Sequence, residues 1–241
     1  MKRTERRHLK TNELASLTGQ ARAVFDARRG QAFAGVLAVV IVGGALIGYF
    51  TWRGRQQARA YALLAAALVV EEARVGPPAA PGTPSAGVSF ATQREKNQAL
   101  LTKFRSAADE YPSTDAGVFA RYREATTWMA LGTPGSAVTA YQEVINRGGS
   151  SVYAVMARLG LAEALAQSGQ YDQAIATFKE LAQRKDNQVP VDGVLIRLGR
   201  TYLDAGKRAD AEQTFNRLVQ EFPDSPFSTD ARRALEQLKR T

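Results

Sequence analysis

Three alanines, Ala137, Ala174 and Ala211, stand 37 residues apart, and their surroundings recur with them. Four positions on come Tyr141, Phe178 and Phe215. Nine before come Trp128, Leu165 and Tyr202, and five before come Gly132, Gly169 and Gly206. Residues four apart share a helix face, so each alanine and its aromatic predict the inner face of one helix. The glycine predicts a left-handed turn that ends the helix before it. Two helical patterns per unit at a fixed period predict a solenoid, in which a unit buries its apolar face only against its neighbours.

The unit ends carry their own signals. Tyr111-Pro112-Ser113-Thr114 and Phe222-Pro223-Asp224-Ser225 place a proline to stop one helix and a Ser, Thr or Asp to cap the next. Leu100, Phe104 and Ala107 fit half a unit one period earlier. Residues 226–240 predict a capping helix, with Ala231, Leu235 and Leu238 inward and Arg232, Arg233, Glu236 and Lys239 in water. The soluble part is rich in Ala, Leu, Gln and Arg and poor in β-branched runs, so no strand is expected. The expected fold is all-α. One N-terminal transmembrane helix precedes an α-α solenoid over 90–241. That solenoid has about three units, a preceding helix pair and a C-terminal cap.

The transmembrane expectation rests on residues 32–52, 21 residues without a charge. A helix of that length spans roughly 30 Å, the thickness of the hydrocarbon core. Tyr49 and Trp52 close the run, where amphipathic rings favour the lipid–water boundary. The alternative is a cleaved signal peptide, whose apolar region is shorter and ends at a small-x-small site. Arg53 and Arg55 follow this run directly, which favours an uncleaved anchor. Gly44 and Gly48 form a G-x-x-x-G pair, a candidate surface for pairing with another membrane helix. Residues 53–75 continue the helix, with Ala58, Tyr61, Leu64, Ala65 and Leu68 at helical spacing. Residues 76–89 are expected as a flexible loop, because 76–84 alone hold four prolines and two glycines.

The net charge of +9 is not spread evenly. Residues 1–31 carry eight Lys/Arg against three acids, whereas residues 76–241 carry twenty against eighteen. The surplus flanks the anchor, where anionic headgroups are the natural partner, and no basic stripe for nucleic acid exists. The positive-inside rule places 1–31 in the cytoplasm and the remainder outside. Within the tail, Leu14, Leu17, Ala21, Val24 and Phe25 line one face of a helix over 12–29, capped by Thr11 or Asn12 and stopped or hinged at Gly30. This is either an interfacial docking helix or a basic tail that fixes orientation.

Nothing points to catalysis. The one histidine is His8, in the tail, and there is no cysteine, so neither a His/Cys metal cluster nor a Cys-His dyad can form. No glycine-rich loop follows a strand. Glu71-Glu72, Arg184-Lys185 and Arg232-Arg233 read as solvated faces. No cofactor, small-molecule substrate or metal is expected.

The repeat resembles the tetratricopeptide repeat, W-x2-L-G-x2-Y…G-x-Y-x2-A-x3-F-x2-A…P. The unit ending at Pro223 matches at Leu198, Gly199, Tyr202, Gly206, Ala211 and Phe215, and departs at Arg208 and Leu218. The one before keeps Leu161, Leu165, Gly169, Tyr171, Ala174 and Phe178, with Ala162 for glycine. The earliest rests on Trp128, Gly132, Ala137 and Tyr141, and departs at Glu124, Ala125 and Pro134. This resemblance implies a protein-binding groove on the concave face of the first helices. Carried over by repeat position, the groove residues are Phe119, Tyr122, Met129, Met156, Glu163, Arg200 and Asp204, with ordinary inter-helix packing as the alternative for Phe119, Tyr122 and Met156. The layout of basic tail, anchor and C-terminal repeats is similar to the YfgM-type ancillary subunits of the bacterial SecYEG translocon. That similarity implies an inner-membrane protein with a periplasmic domain, whose partners are translocon subunits, exported polypeptides or chaperones. An assembly factor for c-type cytochrome maturation and a division or envelope scaffold are the competing readings.

Overall fold

The computed structural model describes residues 29–76, 87–183 and 189–240. The chain divides into two units, Met1–Arg55 and Gln56–Thr241. The tail helix expected over 12–29 lies, but for Arg29, outside the described residues. Gly30, expected to stop or hinge that helix, lies inside α1 (Arg29–Glu71).

In the first unit, no described residue covers the side chains of α1 from Phe33 onward. Phe33, Val39, Ile47 and Phe50 are all exposed, and a Cβ added at Gly44 or Gly48 would meet nothing within 4 Å. An 18-residue window of α1 has mean hydropathy 2.3 with none of it buried. This helix has the length and composition of a membrane anchor or a signal sequence.

The second unit starts with the remainder of α1. Its elements are β1 (Arg74–Val75), β2 (Ser89–Phe90), α2 (Gln93–Glu110), α3 (Asp115–Ala130), α4 (Pro134–Gly148), α5 (Val152–Gln167), α6 (Tyr171–Gln183), α7 (Val191–Asp204), α8 (Arg208–Glu221) and α9 (Ser228–Arg240). Each helix from α2 onward packs on the next. α3/α4, α5/α6 and α7/α8 are three units, α1/α2 the pair before them, and α9 the cap.

One expectation needs correction, and one feature of α1 was not foreseen. A strand pair exists where none was expected. Arg74 and Val75 pair in parallel with Ser89 and Phe90, and the Gly76 amide donates to the Phe90 carbonyl at 3.0 Å. The two flanks of the proline-rich segment meet as the chain returns to start α2. Their free backbone groups then satisfy one another. Lys96 fixes the junction, its Nζ donating to the Ala73 carbonyl at 2.8 Å. The proline-rich residues 77–86 lie outside the described residues.

The second finding concerns α1. Of the five residues at helical spacing only Leu64 is buried. The inner face is Ala60, Leu64, Ala67 and Val70, while Tyr61 is 52% exposed and Ala58, Ala65 and Leu68 face outward. In a helix this rich in alanine both stripes are apolar, and the buried one shares a core cluster with Leu100, Phe104 and Ala107 of α2.

The recurring glycines have φ of 74°, 79° and 73° at Gly132, Gly169 and Gly206. Each closes the same two-bond cap. Its amide donates to Met129, Ala166 or Leu203, and the next amide reaches back to Trp128, Leu165 or Tyr202 at 2.8–3.0 Å. The position nine residues before each alanine is therefore the carbonyl that the turn needs. Thr114 caps α3 through the Gly117 amide at 3.0 Å, and Ser151 caps α5 through Ala154 at 3.2 Å. Pro134, off the repeat pattern, stands first in α4, where its missing N–H costs nothing.

Two glycines separate propensity from packing. A Cβ on Gly117 would stand 1.8 Å from the Tyr111 carbonyl oxygen, whereas one on Gly135 would meet nothing within 4 Å. Alanine gains up to about 1 kcal/mol over glycine inside a helix. At Gly135 that gain stands alone, so Gly135→Ala should stabilise by about 0.5 kcal/mol. At Gly117 the obstacle is backbone, and Gly117→Ala should destabilise by about 2 kcal/mol net. Urea titration of both variants checks this, and equal signs would contradict it.

Glu124 stands where the repeat pattern carries leucine, yet it is 4% exposed. Arg121 from α3 binds it and also pairs with Asp109 of α2 and with Glu143 of α4 at 3.2 Å. The Trp128 indole donates to Glu124 Oε1 at 3.3 Å. Burial works to lower the Arg121 pKa, but it is raised, because the bond to Asp109 and the charges of Glu124 and Glu143 outweigh burial.

Candidate interaction face

The first helices of successive pairs, α1, α3, α5, α7 and α9, are joined side to side by a row of cross-helix contacts. Arg123 of α3 pairs with Glu71 of α1. Arg197 of α7 pairs with Glu163 of α5 and also donates to the Gly193 carbonyl at 2.7 Å. Arg200 of α7 pairs with Asp230 of α9 at 3.1 Å. Among the described residues no ion pair crosses from α3 to α5. That step is aromatic. The Tyr153 ring of α5 lies 4.9 Å from Phe119 and 6.1 Å from Tyr122, both on α3. Tyr122 continues inward to Tyr141 at 6.0 Å. Beside the step, Val152 is 63% and Met156 44% exposed.

The trio also joins two cores. Phe119 packs on the cluster of α1, α2 and α3, and Tyr122 on the cluster that runs from α3 to α9. Arg123 lies 5.2 Å above Phe104 and 6.0 Å from Phe119, within reach of a cation–π attraction. Burial raises the Tyr122 pKa. Arg123 opposes that, and Glu163 adds to it. Tyr141 is raised further, again by burial first. Both shifts reinforce the neutral state that tyrosine already has at ordinary pH, its usual pKa being about 10.

The seven expected groove residues occupy different places. Phe119 and Tyr122 come together with Tyr153, and Met156 stands exposed one turn beyond Val152. Glu163 and Arg200 are both on the row of first helices, but each is occupied by an ion pair. Asp204 is exposed at the end of α7, and Met129 is half-buried against the larger core. Sequence reasoning missed Tyr153, Arg123, Arg197 and Asp230. A signal for two of them exists. Tyr153 meets Phe119 and Arg197 meets Glu163, each 34 residues apart, and Phe227 approaches Gly193 at the same separation. Contacts between neighbouring first helices fall at the period less about one helical turn.

Among the described residues no cluster of three His, Cys, Asp or Glu could hold a metal. The profile of the tetratricopeptide repeat-like domain matches residues 28–239. The chain belongs to the tetratricopeptide repeat-like family. The fold of such a chain is a protein-interaction scaffold, and the match takes in α1 as well as the repeats. Among solved structures, the nearly identical TPR-like repeats ascribed to a kinesin light chain of Podosopora anserina are similar. The TM-score is 0.53 at 13% identity, over 61% of this chain and 80% of that one. YrrB, a TPR protein with an unusual peptide-binding site, matches with a TM-score of 0.47 at 19% identity, over 58% of this chain and 68% of that one. The first of these supports the solenoid fold alone. No curated protein matches the sequence.

Proposed function

We propose that this is a single-pass interaction module of the bacterial inner membrane. It assists secreted or membrane proteins at or near the Sec translocon through the face of its first helices. The observation that carries the reading is the aromatic step of Phe119, Tyr122 and Tyr153 with Val152 and Met156 exposed beside it. Large apolar side chains left open on a repeat scaffold mark a partner surface. The uncovered apolar helix and the basic tail support an anchor with the tail in the cytoplasm and the repeats in the periplasm. Gly44 and Gly48, open along α1, would let a second membrane helix approach.

Photoreactive residues at Tyr122, Met156 and Arg200, with Gln142 on α4 as the control, test this in intact membranes. Translocon subunits or exported chains should be captured from Met156 and not from Gln142. A single other envelope partner would point instead to an assembly factor or scaffold. Capture of cytosolic proteins would overturn the orientation.

A further inference from the structure

We propose that the aromatic step is a subsite for a neutral, extended polypeptide segment bearing one aromatic or large aliphatic anchor, and that its ion-paired flanks select against charged segments. This rests on the interaction face proposed above and names the chemistry of its occupant.

The selection follows from where the charges are spent. On the α1 side, Arg123 is held by Glu71. On the α7 side, Glu163 is held by Arg197, and Arg200 by Asp230. A lysine or glutamate entering at the step would lose water and find its opposite charge already paired. Replacing one member of an existing pair returns little, because exposed pairs are worth only about 0–1 kcal/mol. An apolar anchor meets the reverse situation. It covers Val152, Met156 and the edges of Phe119 and Tyr153, and each Å² of apolar surface so covered contributes about 25 cal/mol. The aromatic edges add attraction for another ring. The phenol of Tyr122, neutral at ordinary pH as tyrosine is with its usual pKa of about 10, brings no countercharge either. Met156 can change rotamer to fit anchors of different shape, so the subsite reads apolarity and lack of charge more than sequence.

The full chain in lipid nanodiscs would be titrated with labelled twelve-residue peptides of Gly, Ser and Asn carrying one central Phe, Leu, Lys or Glu. Empty nanodiscs serve as the blank. The Phe and Leu peptides should bind at least ten times more tightly than the Lys and Glu peptides. Their affinity should change less than twofold between low and high salt, because no ion pair forms on binding. Met156→Lys, at an exposed position, should weaken the Phe peptide at least fivefold. Equal or tighter binding of either charged peptide, a tenfold salt dependence, or no response to Met156→Lys would each overturn the proposal. Capture of partners from Met156 together with a preference for charged peptides would overturn this inference and leave the interaction face standing. Loss of capture at Met156 would remove both.

Discussion

Phe215→Ala should destabilise the repeat domain by about 4 kcal/mol, and the damage should be local. Phe215 is fully buried, and its ring lies against the backbone of Gly199 so closely that a Cβ there would stand 2.3 Å from Cε1. The ring thus fills the space that the missing side chain of Gly199 leaves, and truncation opens a cavity that a close-packed helix pair cannot collapse. Because each unit touches only its neighbours, the loss should fall on α6 to α9. Amide exchange should accelerate there while α2, α3 and α4 keep their protection. Uniform acceleration along the chain, or a loss in urea below about 1 kcal/mol, would show that the aromatic is not the fastener of its unit. The Tyr141 ring meets Gly160 in the same way, 2.4 Å from a would-be Cβ, though that glycine belongs to the next unit's first helix. The same pairing therefore serves once within a unit and once between units.

What was legible in the sequence was what recurs within each unit. The glycine turns and the alanine–aromatic faces recur because each answers a requirement that every unit shares. The contacts between units were less legible. Arg197 with Glu163 and Arg200 with Asp230 are single charges on a surface, and nothing in their local pattern names a partner 34 or 30 residues away. The buried stripe of α1 was not legible for a related reason. Ala60 and Ala67 carry so little hydrophobic signal that Tyr61 and Leu68 dominate any periodicity, yet Ala60 and Ala67 are the buried ones. The strand pair at the base of the proline-rich segment was invisible because two residues make no period. For the proposed interaction face, the resemblance to the repeat family named Phe119 and Tyr122 but not the Tyr153 ring that they meet. Phe119 and Tyr122 acquire their meaning from Tyr153, whose role is set by stacking across units and not by any motif of its own.

Arg121→Leu is expected to cost about 3 kcal/mol, and the reason is Glu124. The Arg121 side chain is 12% exposed and that of Glu124 only 5%, so removing the guanidinium leaves a buried carboxylate with only the Trp128 indole at 3.3 Å and Arg105 at 4.0 Å. Asp109 and Glu143 are more open and can turn to water, which keeps their share small. The repeat pattern suggests the remedy. Glu124→Leu restores the usual leucine and leaves Arg121 with Asp109 and Glu143, so that variant should change stability by less than about 1 kcal/mol. The double variant Arg121→Leu/Glu124→Leu should then recover most of the loss, since apolar replacements of a buried pair are tolerated where a broken pair is not. Urea titration of all four proteins gives the coupling directly. If the double variant is as unstable as Arg121→Leu alone, the stranded charge is not the cause. The role of Arg121 would then lie in its contacts to α2 and α4, the helices that it ties to α3. Recovery would instead mean that this unit departs from the repeat pattern as a matched pair, with Arg121 the main partner that makes Glu124 tolerable in a leucine position.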